Sequence, residues 1–127
     1  MAADVSQCAD LCRMKSYKLV VFVPDTALAA LSSALFAAGA GAQGLYRECA
    51  WRVEGTGQFR PLAGAQPALG EVGALEQVRE SRLELLVAES DLGAVLRALH
   101  AYHPYEEPAY DIFARIDPAP WRQGIQD

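Results

Sequence analysis

The sequence has little of what several classes of protein require. It contains two histidines and three cysteines in 127 residues, and its 11 lysines and arginines are scattered rather than clustered. The net charge is −5, so the concentrated basic patch of a nucleic-acid-binding surface is missing. No apolar run approaches the roughly 20 residues needed to cross a bilayer. We therefore expect neither nucleic acid nor a membrane as a partner.

The first residues, MAADVSQCAD, also lack the apolar segment of a secretory signal. Cys8 and Cys12 would share one face of a helix, but two thiolates without a histidine or a further cysteine nearby make a poor metal site. The sequence therefore predicts an N-terminal extension over residues 1–16 and a cytoplasmic location.

The signatures of familiar catalytic sites are missing as well. Neither G-x-S-x-G nor H-E-x-x-H occurs, and Gly55-Thr-Gly57 is not followed by the Gly-Lys-Ser/Thr of a phosphate-binding loop. Cys49 lies in an alternating stretch on the same side as Leu45 and Trp51, which indicates a buried, unreactive thiol. Nucleophilic catalysis finds little support, and we predict no catalytic residue.

What the sequence does contain is a strand followed by a helix, twice. In the first unit, residues 17–23 are β-branched and aromatic and end at Pro24, which predicts a buried strand. Asp25 has the side chain to cap a helix that begins at Thr26. This helix has leucines at helical spacing and ends at two glycines, Gly39 and Gly41.

The second unit begins with a strand at residues 82–88, which could start as early as Glu76. Ser90 or Asp91 is placed to cap the helix that follows, and Pro104 stops it. The spacing of five residues predicts its buried face: Leu92, Val95, Leu96, Leu99 and Tyr102.

Between the two units the pattern predicts a β-hairpin. Residues 45–53 alternate between apolar and polar side chains, residues 54–57 (EGTG) read as a turn, and residues 58–62 form the returning strand. Residues 63–73 are rich in small residues and contain a proline, which predicts a loop.

A last alternating stretch lies at residues 108–116. Apart from the short returning strand at residues 58–62, which Pro61 confines to an edge of the sheet or to its end, the order is βαββαβ. A right-handed crossover after each strand–helix pair places both helices on one face of a four-stranded antiparallel sheet. We therefore predict an α+β, ferredoxin-like sandwich over residues 17–116, followed by a tail at residues 117–127 that is interrupted by prolines.

A histidine and two glutamates follow the second helix in the stretch HPYEEP, residues 103–108. Imidazole and carboxylate groups suit zinc, copper or iron, so His103, Glu106 and Glu107 are the best metal-ligand candidates in the chain. The alternative is structural, because Pro104 disfavours a helical conformation at His103. In that case His103 lies in the C-terminal turn of the helix, where a cation is favourable, and the glutamates lie in solvent.

Four stretches of the sequence are distinctive when taken together. They are Y-x-x-C at residues 46–49, G-x-G-x-F-x-P at residues 55–61, A-x-P-x-x-G at residues 65–70, and HPYEEPAYD at residues 103–111. In order and spacing they resemble the domain inserted within the NIF-three-like (YqfO-type) proteins. The resemblance covers roughly residues 17–116, and it implies a fold similar to CutA and to the PII signalling proteins.

In the full-length proteins of that family, two metal ions are held by a larger flanking domain, through ligands that this chain lacks. The resemblance therefore implies a non-enzymatic, oligomeric binding or regulatory module that could bind a divalent metal (zinc or copper) or a small ligand in clefts between subunits. The alternative is a metal-dependent, hydrolase-type enzyme centred on His103.

A sheet with both helices on one face leaves its other face open, and an exposed apolar face is a liability in a monomer. We therefore expect a homo-oligomer. The resemblance to CutA and PII favours a trimer, and a two-fold dimer would satisfy the same physics. The loop at residues 63–73 and the HPYEE turn would then contribute to clefts between subunits.

Overall fold

The computed structural model describes residues 15–125. Its elements in chain order are β1 (Ser16–Pro24), α1 (Leu28–Ala37), β2 (Trp51–Phe59), β3 (Glu76–Ala88), α2 (Glu89–Tyr102) and β4 (Tyr110–Ala114), with short 3₁₀ turns at Asp25–Ala27 and Ala119–Trp121. Most of the predicted N-terminal extension, including Cys8 and Cys12, lies outside the described residues. Among residues 15–125, neither helix is long and apolar enough to span a membrane.

The four strands form one antiparallel sheet in the order β2-β3-β1-β4. The predicted fold class is confirmed: two helices follow the first and third strands and pack on one face of the sheet. Leu19 on β1 lies between Leu85 on β3 and Ile112 on β4, and this row faces the helices. Within residues 15–125, the strands and α-helices lie between Ser16 and Ala114. The start of β1 lies beside the end of β4, and there the Arg115 N–H donates to the Ser16 carbonyl at 3.0 Å.

The buried core lies between this face and the helices. Leucine and valine dominate it because alternate residues of β1 and β3 and one face of each helix are apolar. Tyr102 was expected on the buried face of α2, but 56% of it is exposed at the end of the helix. The core residues are Leu19, Val21, Val23, Leu31, Leu35, Ala40, Leu83, Leu85, Val87, Val95 and Leu99.

Neither helix begins with the predicted side-chain cap. Asp25 belongs to a 3₁₀ turn, and α1 begins only at Leu28, with no side-chain capping hydrogen bond. The helix α2 begins at Glu89 directly after β3, so Ala88 occupies the capping position and Ser90 and Asp91 are already helical. Glu89 and Asp91 still lie in its first turn, where negative charge interacts favourably with the helix dipole.

The predicted hairpin is wrong in its position along the chain. Residues 45–50 form no strand, and Leu45 is 99% exposed. The expected turn at residues 54–57 lies inside β2, because Gly55 and Gly57 pair with Glu80 and Val78 of β3. The true connection runs from residue 60 to residue 75, and β3 begins at Glu76 as the sequence allowed.

The face of the sheet opposite the helices is open. The register places Trp51, Val53 and Phe59 of β2 on this face, beside alternate residues of β3 and β1. Trp51 is 61% exposed, and Phe113 of β4, on the same face, is 54% exposed. Charged residues lie among them, since Glu84 approaches Lys18 at 3.8 Å and Arg82 at 3.5 Å.

Candidate ligand-binding cleft

A cleft of about 580 Å³ lies where the end of β2, the loop at residues 60–75 and the turn at residues 103–109 meet. Three of the four distinctive sequence stretches contribute to it, although they are far apart in the chain. Its apolar lining includes Phe59, Pro61, Leu62, Pro67 and Leu69, and its polar lining consists of Gln58, Arg60, Glu80, Tyr105, Glu106 and Glu107.

The carboxylate of Glu80 is held in place at one side of the cleft. The Tyr105 hydroxyl donates to its Oε2 atom at 2.8 Å. The carboxylate lies against the backbone of β2 at Gly57, where a β-carbon would collide with it. Gly57 is therefore glycine because the carboxylate occupies the space of a side chain, and not because the chain turns there.

Tyr105 joins the polar and apolar parts of the cleft. Its ring lies 5.7 Å from the ring of Phe59 and 5.0 Å from that of His103, measured between centroids. Burial, together with the hydrogen bond to Glu80, raises the pKa of the Tyr105 phenol far above its usual value. The phenol is therefore neutral at any physiological pH and acts as a hydrogen-bond donor.

His103 lies behind this site and is 6% exposed. Its Nε2–H donates to the Phe22 carbonyl at 2.7 Å, and its Nδ1 accepts from the Tyr105 N–H at 3.1 Å. A carbonyl can only accept and an amide N–H can only donate, so both ring nitrogens are used and the ring is neutral. Burial lowers the pKa of His103 in agreement with this arrangement.

Pro104 ends α2 as the sequence predicted. His103 follows the last helical residue with φ −81° and ψ 132°, an extended conformation typical of a residue before proline. The structural alternative for His103 is therefore correct about its place at the helix end. It is wrong about the charge, because the buried ring is neutral rather than a cation.

The three predicted metal ligands do not converge on a common point. Glu106 lines the cleft and accepts a hydrogen bond from the Gln66 N–H at 3.1 Å, and Glu107 lines the same cleft. Within residues 15–125, no group of three or more His, Cys, Asp or Glu side chains could hold a metal ion. Metal binding by His103, Glu106 and Glu107 stays a prediction, and the hydrogen bonds of His103 do not favour it.

Phe59, Glu80 and Tyr105 lie together in the cleft. The sequence analysis expected the HPYEE turn, which contains Tyr105, at a cleft, but it assigned no role to Phe59 or Glu80. One signal was available: two glycines two residues apart in a segment that otherwise favours a strand. A glycine inside a strand often marks the close approach of another group. Here that group is a carboxylate 23 positions further along the chain, at Glu80.

The fourth stretch, around Cys49, lies elsewhere. Cys49 is partly buried in an irregular segment rather than in mid-strand, and its Sγ is 3.9 Å from the Arg47 carbonyl. It contributes to a second hollow of about 480 Å³ on the sheet near Lys18 and Trp51. The preceding Glu48 has a left-handed backbone, with φ 58°.

No family model matches the chain. Curated proteins named GTP cyclohydrolase 1 type 2 homolog do match it. The protein from Mycobacterium leprae is 52% identical over 101 residues, which are 80% of this chain and 26% of the relative. The protein from Bacillus subtilis is 46% identical over 108 residues, 85% of this chain and 29% of the relative. The chain thus spans between a quarter and a third of the length of these relatives.

Solved structures agree with this relationship. A Bacillus cereus protein related to NIF3 aligns with 80% of this chain and 26% of its own, at 40% identity and a TM-score of 0.69. CutA1 from Shewanella aligns over 89% of this chain and 94% of its own, with a TM-score of 0.61 and 16% identity. At 16% identity, the similarity to CutA1 is evidence for the fold of this chain and for nothing further.

Proposed function

Because this chain belongs to the NIF3-related family and corresponds to a CutA-like segment of its longer relatives, we propose that it is a non-catalytic binding module. The module assembles as a homo-oligomer and binds a small ligand in the cleft. One observation gives this proposal its main support: three of the four stretches that resemble the family meet at a single cleft.

Catalysis centred on His103 is not favoured, because the imidazole and the phenol beside it are already engaged in hydrogen bonds. A general base needs a free lone pair within hydrogen-bond distance of its substrate. His103 uses one nitrogen on Phe22 and the other on Tyr105, and the Tyr105 hydroxyl is used on Glu80. The name of the curated relatives refers to GTP, but we propose no activity towards GTP for this chain.

A metal-dependent hydrolase centred on His103 is the competing function. It would require His103 to give up a hydrogen bond to the backbone before it could bind a metal or accept a proton. Hydrolysis of a phosphoester that disappears in His103→Ala, while the variant stays folded by circular dichroism, would establish this alternative and reject the binding module.

Assembly is supported by the open face of the sheet. Trp51, Val53 and Phe113 are each about half exposed or more on this face, and β2 is an edge strand nine residues long. Such a face and edge are usually covered by a partner. We propose three-fold assembly by resemblance to CutA, with a two-fold dimer as the alternative.

Native mass spectrometry of the purified protein tests both parts of the proposal at once. We expect a multiple of the 13.7 kDa chain, with a small species retained on some of the complexes. A denaturing spectrum of the same sample is the control, since it should give the bare chain. A 13.7 kDa monomer that retains nothing would contradict the proposal. A cytoplasmic location stays a prediction.

A further inference from the structure

We propose that the cleft takes an organic cation, meaning an amine or guanidinium group on an apolar, aromatic body. The inference rests on the proposed function, since it assumes that the cleft binds a ligand, and it names the class of that ligand. Three properties of the lining support it: its charge, its surplus of hydrogen-bond acceptors, and its aromatic wall.

The charge of the lining is negative. Three carboxylates line the cleft, from Glu80, Glu106 and Glu107, against the single guanidinium of Arg60. That guanidinium already donates to the Gly73 carbonyl at 2.7 Å, which holds it to the loop. A phosphate or carboxylate ligand would therefore meet net repulsion, whereas a cation would meet attraction.

Acceptor positions outnumber donors in the lining, because three carboxylates line the cleft and only Gln58 and Arg60 bring side-chain N–H groups to it. The Tyr105 hydroxyl donates to Glu80, and the Gln66 N–H donates to Glu106, so these donors are occupied. A carboxylate offers about four acceptor positions, so one hydrogen bond leaves most of its capacity unused. A ligand that donates several N–H groups matches this surplus, and a ligand that only accepts does not.

The wall beside these carboxylates is aromatic and apolar. The rings of Phe59 and Tyr105 lie 5.7 Å apart and are tilted by 59°, and prolines and leucines of the loop also line the cleft. Aromatic faces attract cations, and they also pack against the ligand's own ring. At about 580 Å³ the cleft has the volume of a small-molecule site.

The carboxylate of Glu80 is already ordered before a ligand binds. A ligand that approaches a mobile surface carboxylate must first order it, which costs side-chain entropy. The Glu80 carboxylate is already held between Gly57 and the Tyr105 hydroxyl, in a half-buried position. We expect the cationic group to lie between Glu80 and Glu107, with its apolar body against Phe59.

Three probes that share an indole ring separate charge from shape. They are tryptamine, a cation; tryptophol, which is neutral; and indole-3-acetate, an anion. Each is titrated into ¹⁵N-labelled protein, and the backbone amides are followed by NMR. We expect tryptamine to shift the amides of residues 58–69 and 105–109, tryptophol to bind roughly tenfold more weakly, and indole-3-acetate not to bind.

Glu107→Gln removes one charge from an exposed position, so the fold should be unaffected. We expect it to weaken tryptamine binding by roughly three- to tenfold, and added salt to do the same. Glu48→Gln is the matched control, because it makes the same chemical change at an exposed residue that does not line the cleft. It should leave tryptamine binding unchanged.

Equal binding of all three probes would show that the cleft binds a ligand but has no preference for a cation, which would overturn the proposal. Amide shifts caused by ATP or by Zn²⁺ alone, with none from tryptamine, would overturn it in favour of an anion or a metal. A lack of response to tryptamine at millimolar concentrations also rejects it. In that case native mass spectrometry, which uses no probe, decides separately whether the proposed binding module stands.

Discussion

His103, directly after α2, links β1 to the turn that follows the helix: its Nε2–H donates to the Phe22 carbonyl, and its Nδ1 accepts from the Tyr105 N–H, so the ring is neutral. Its pKa in the folded protein is lowered below the ordinary value of 6.5, chiefly by burial. Between the folded and the unfolded pKa the unfolded chain binds more protons, so stability rises with pH in that window. The stabilising contribution is therefore complete above about pH 6.5 and is lost as the pH falls towards the folded pKa.

We expect the free energy of unfolding to fall when urea denaturation is repeated at steps between about pH 7.5 and pH 5. His103→Gln should remove most of this dependence and cost about 1–3 kcal/mol at neutral pH, because the imidazole that bonds to both the Phe22 carbonyl and the Tyr105 N–H is lost. The only other histidine provides the control. His100 is exposed, so His100→Gln should keep the slope. A wild-type protein whose stability is flat over this range would contradict the neutral, buried ring.

Ser81 is the one residue whose buried side-chain oxygen finds no hydrogen-bond partner within residues 15–125. It is fully buried on β3, between Val23 of β1 and Glu54 of β2. Burial of an unpaired hydroxyl costs free energy, so Ser81→Ala should be neutral or stabilise the fold by up to about 1 kcal/mol. Thermal and urea unfolding measure the effect.

Leu83→Ala, two residues along the same strand, shows that the assay responds to core changes. Leu83 is 2% exposed, so its truncation should leave a cavity and cost about 2–5 kcal/mol. If Ser81→Ala were itself destabilising by more than about 1 kcal/mol, the hydroxyl would have a partner that this structure does not place.

At the scale of the elements, β2 contains two glycines with different surroundings. A β-carbon at Gly57 would collide with the Glu80 carboxylate, whereas one at Gly55 would meet open space. We expect Gly57→Ala to displace Glu80 from Tyr105 and to cost about 1–2 kcal/mol, and Gly55→Ala to be neutral or slightly stabilising.

A double-mutant cycle assigns that cost to the hydrogen bond. In a Tyr105→Phe background Glu80 has no hydroxyl to lose, so Gly57→Ala should cost less, by a coupling of about 1 kcal/mol. Urea denaturation of the four proteins gives the coupling. Strictly additive effects of Gly57→Ala and Tyr105→Phe would show that the two residues do not share Glu80.

The strand β2 also shows which features of the fold could not be predicted from the sequence. The order of elements, both buried strands and the end of α2 at Pro104 were predictable, because they depend on local pattern and on proline. The bounds of β2 were not, because residues 54–57 look like a turn when the partner strand is unseen. Tertiary pairing with β3 overrides the local preference of Gly55 and Gly57.

The candidate site was predictable in part. The HPYEE turn and the loop after β2 were expected at a cleft, and they do line one within a single chain. The metal-ligand residues drew attention through their chemistry, but the roles of Phe59 and Glu80 depend on contacts between distant segments. Glu80 accepts a hydrogen bond from Tyr105, which lies 25 positions further along the chain. Local periodicity in the sequence cannot predict a contact between residues so far apart.

At the scale of the whole molecule, we expect the open face of the sheet to be the surface through which chains associate. Trp51→Gln removes a large exposed ring from this face and should lower the association constant of the proposed oligomer by at least tenfold, since aromatic residues dominate interface energetics. Sedimentation velocity over a dilution series measures it. Tyr102→Gln is the control, because Tyr102 is 56% exposed, against 61% for Trp51, but lies on a helix.

An oligomer that dissociates equally in both variants would show that the loss is not specific to the sheet. An oligomer that neither variant affects would place the contact elsewhere and reject assembly through the open face.

The hydrogen bond between the Arg115 N–H and the Ser16 carbonyl has a consequence for the architecture of longer proteins. It fixes the entry and the exit of the folded unit next to each other, on neighbouring strands. A host protein that carries such a unit within one of its loops needs to separate the two ends of that loop by only one strand spacing, so the closure entropy of the host loop changes little. For the folding of the host, the inserted unit is therefore equivalent to a short turn. The unit can also move relative to the host as a rigid body, because only two adjacent chain ends connect them.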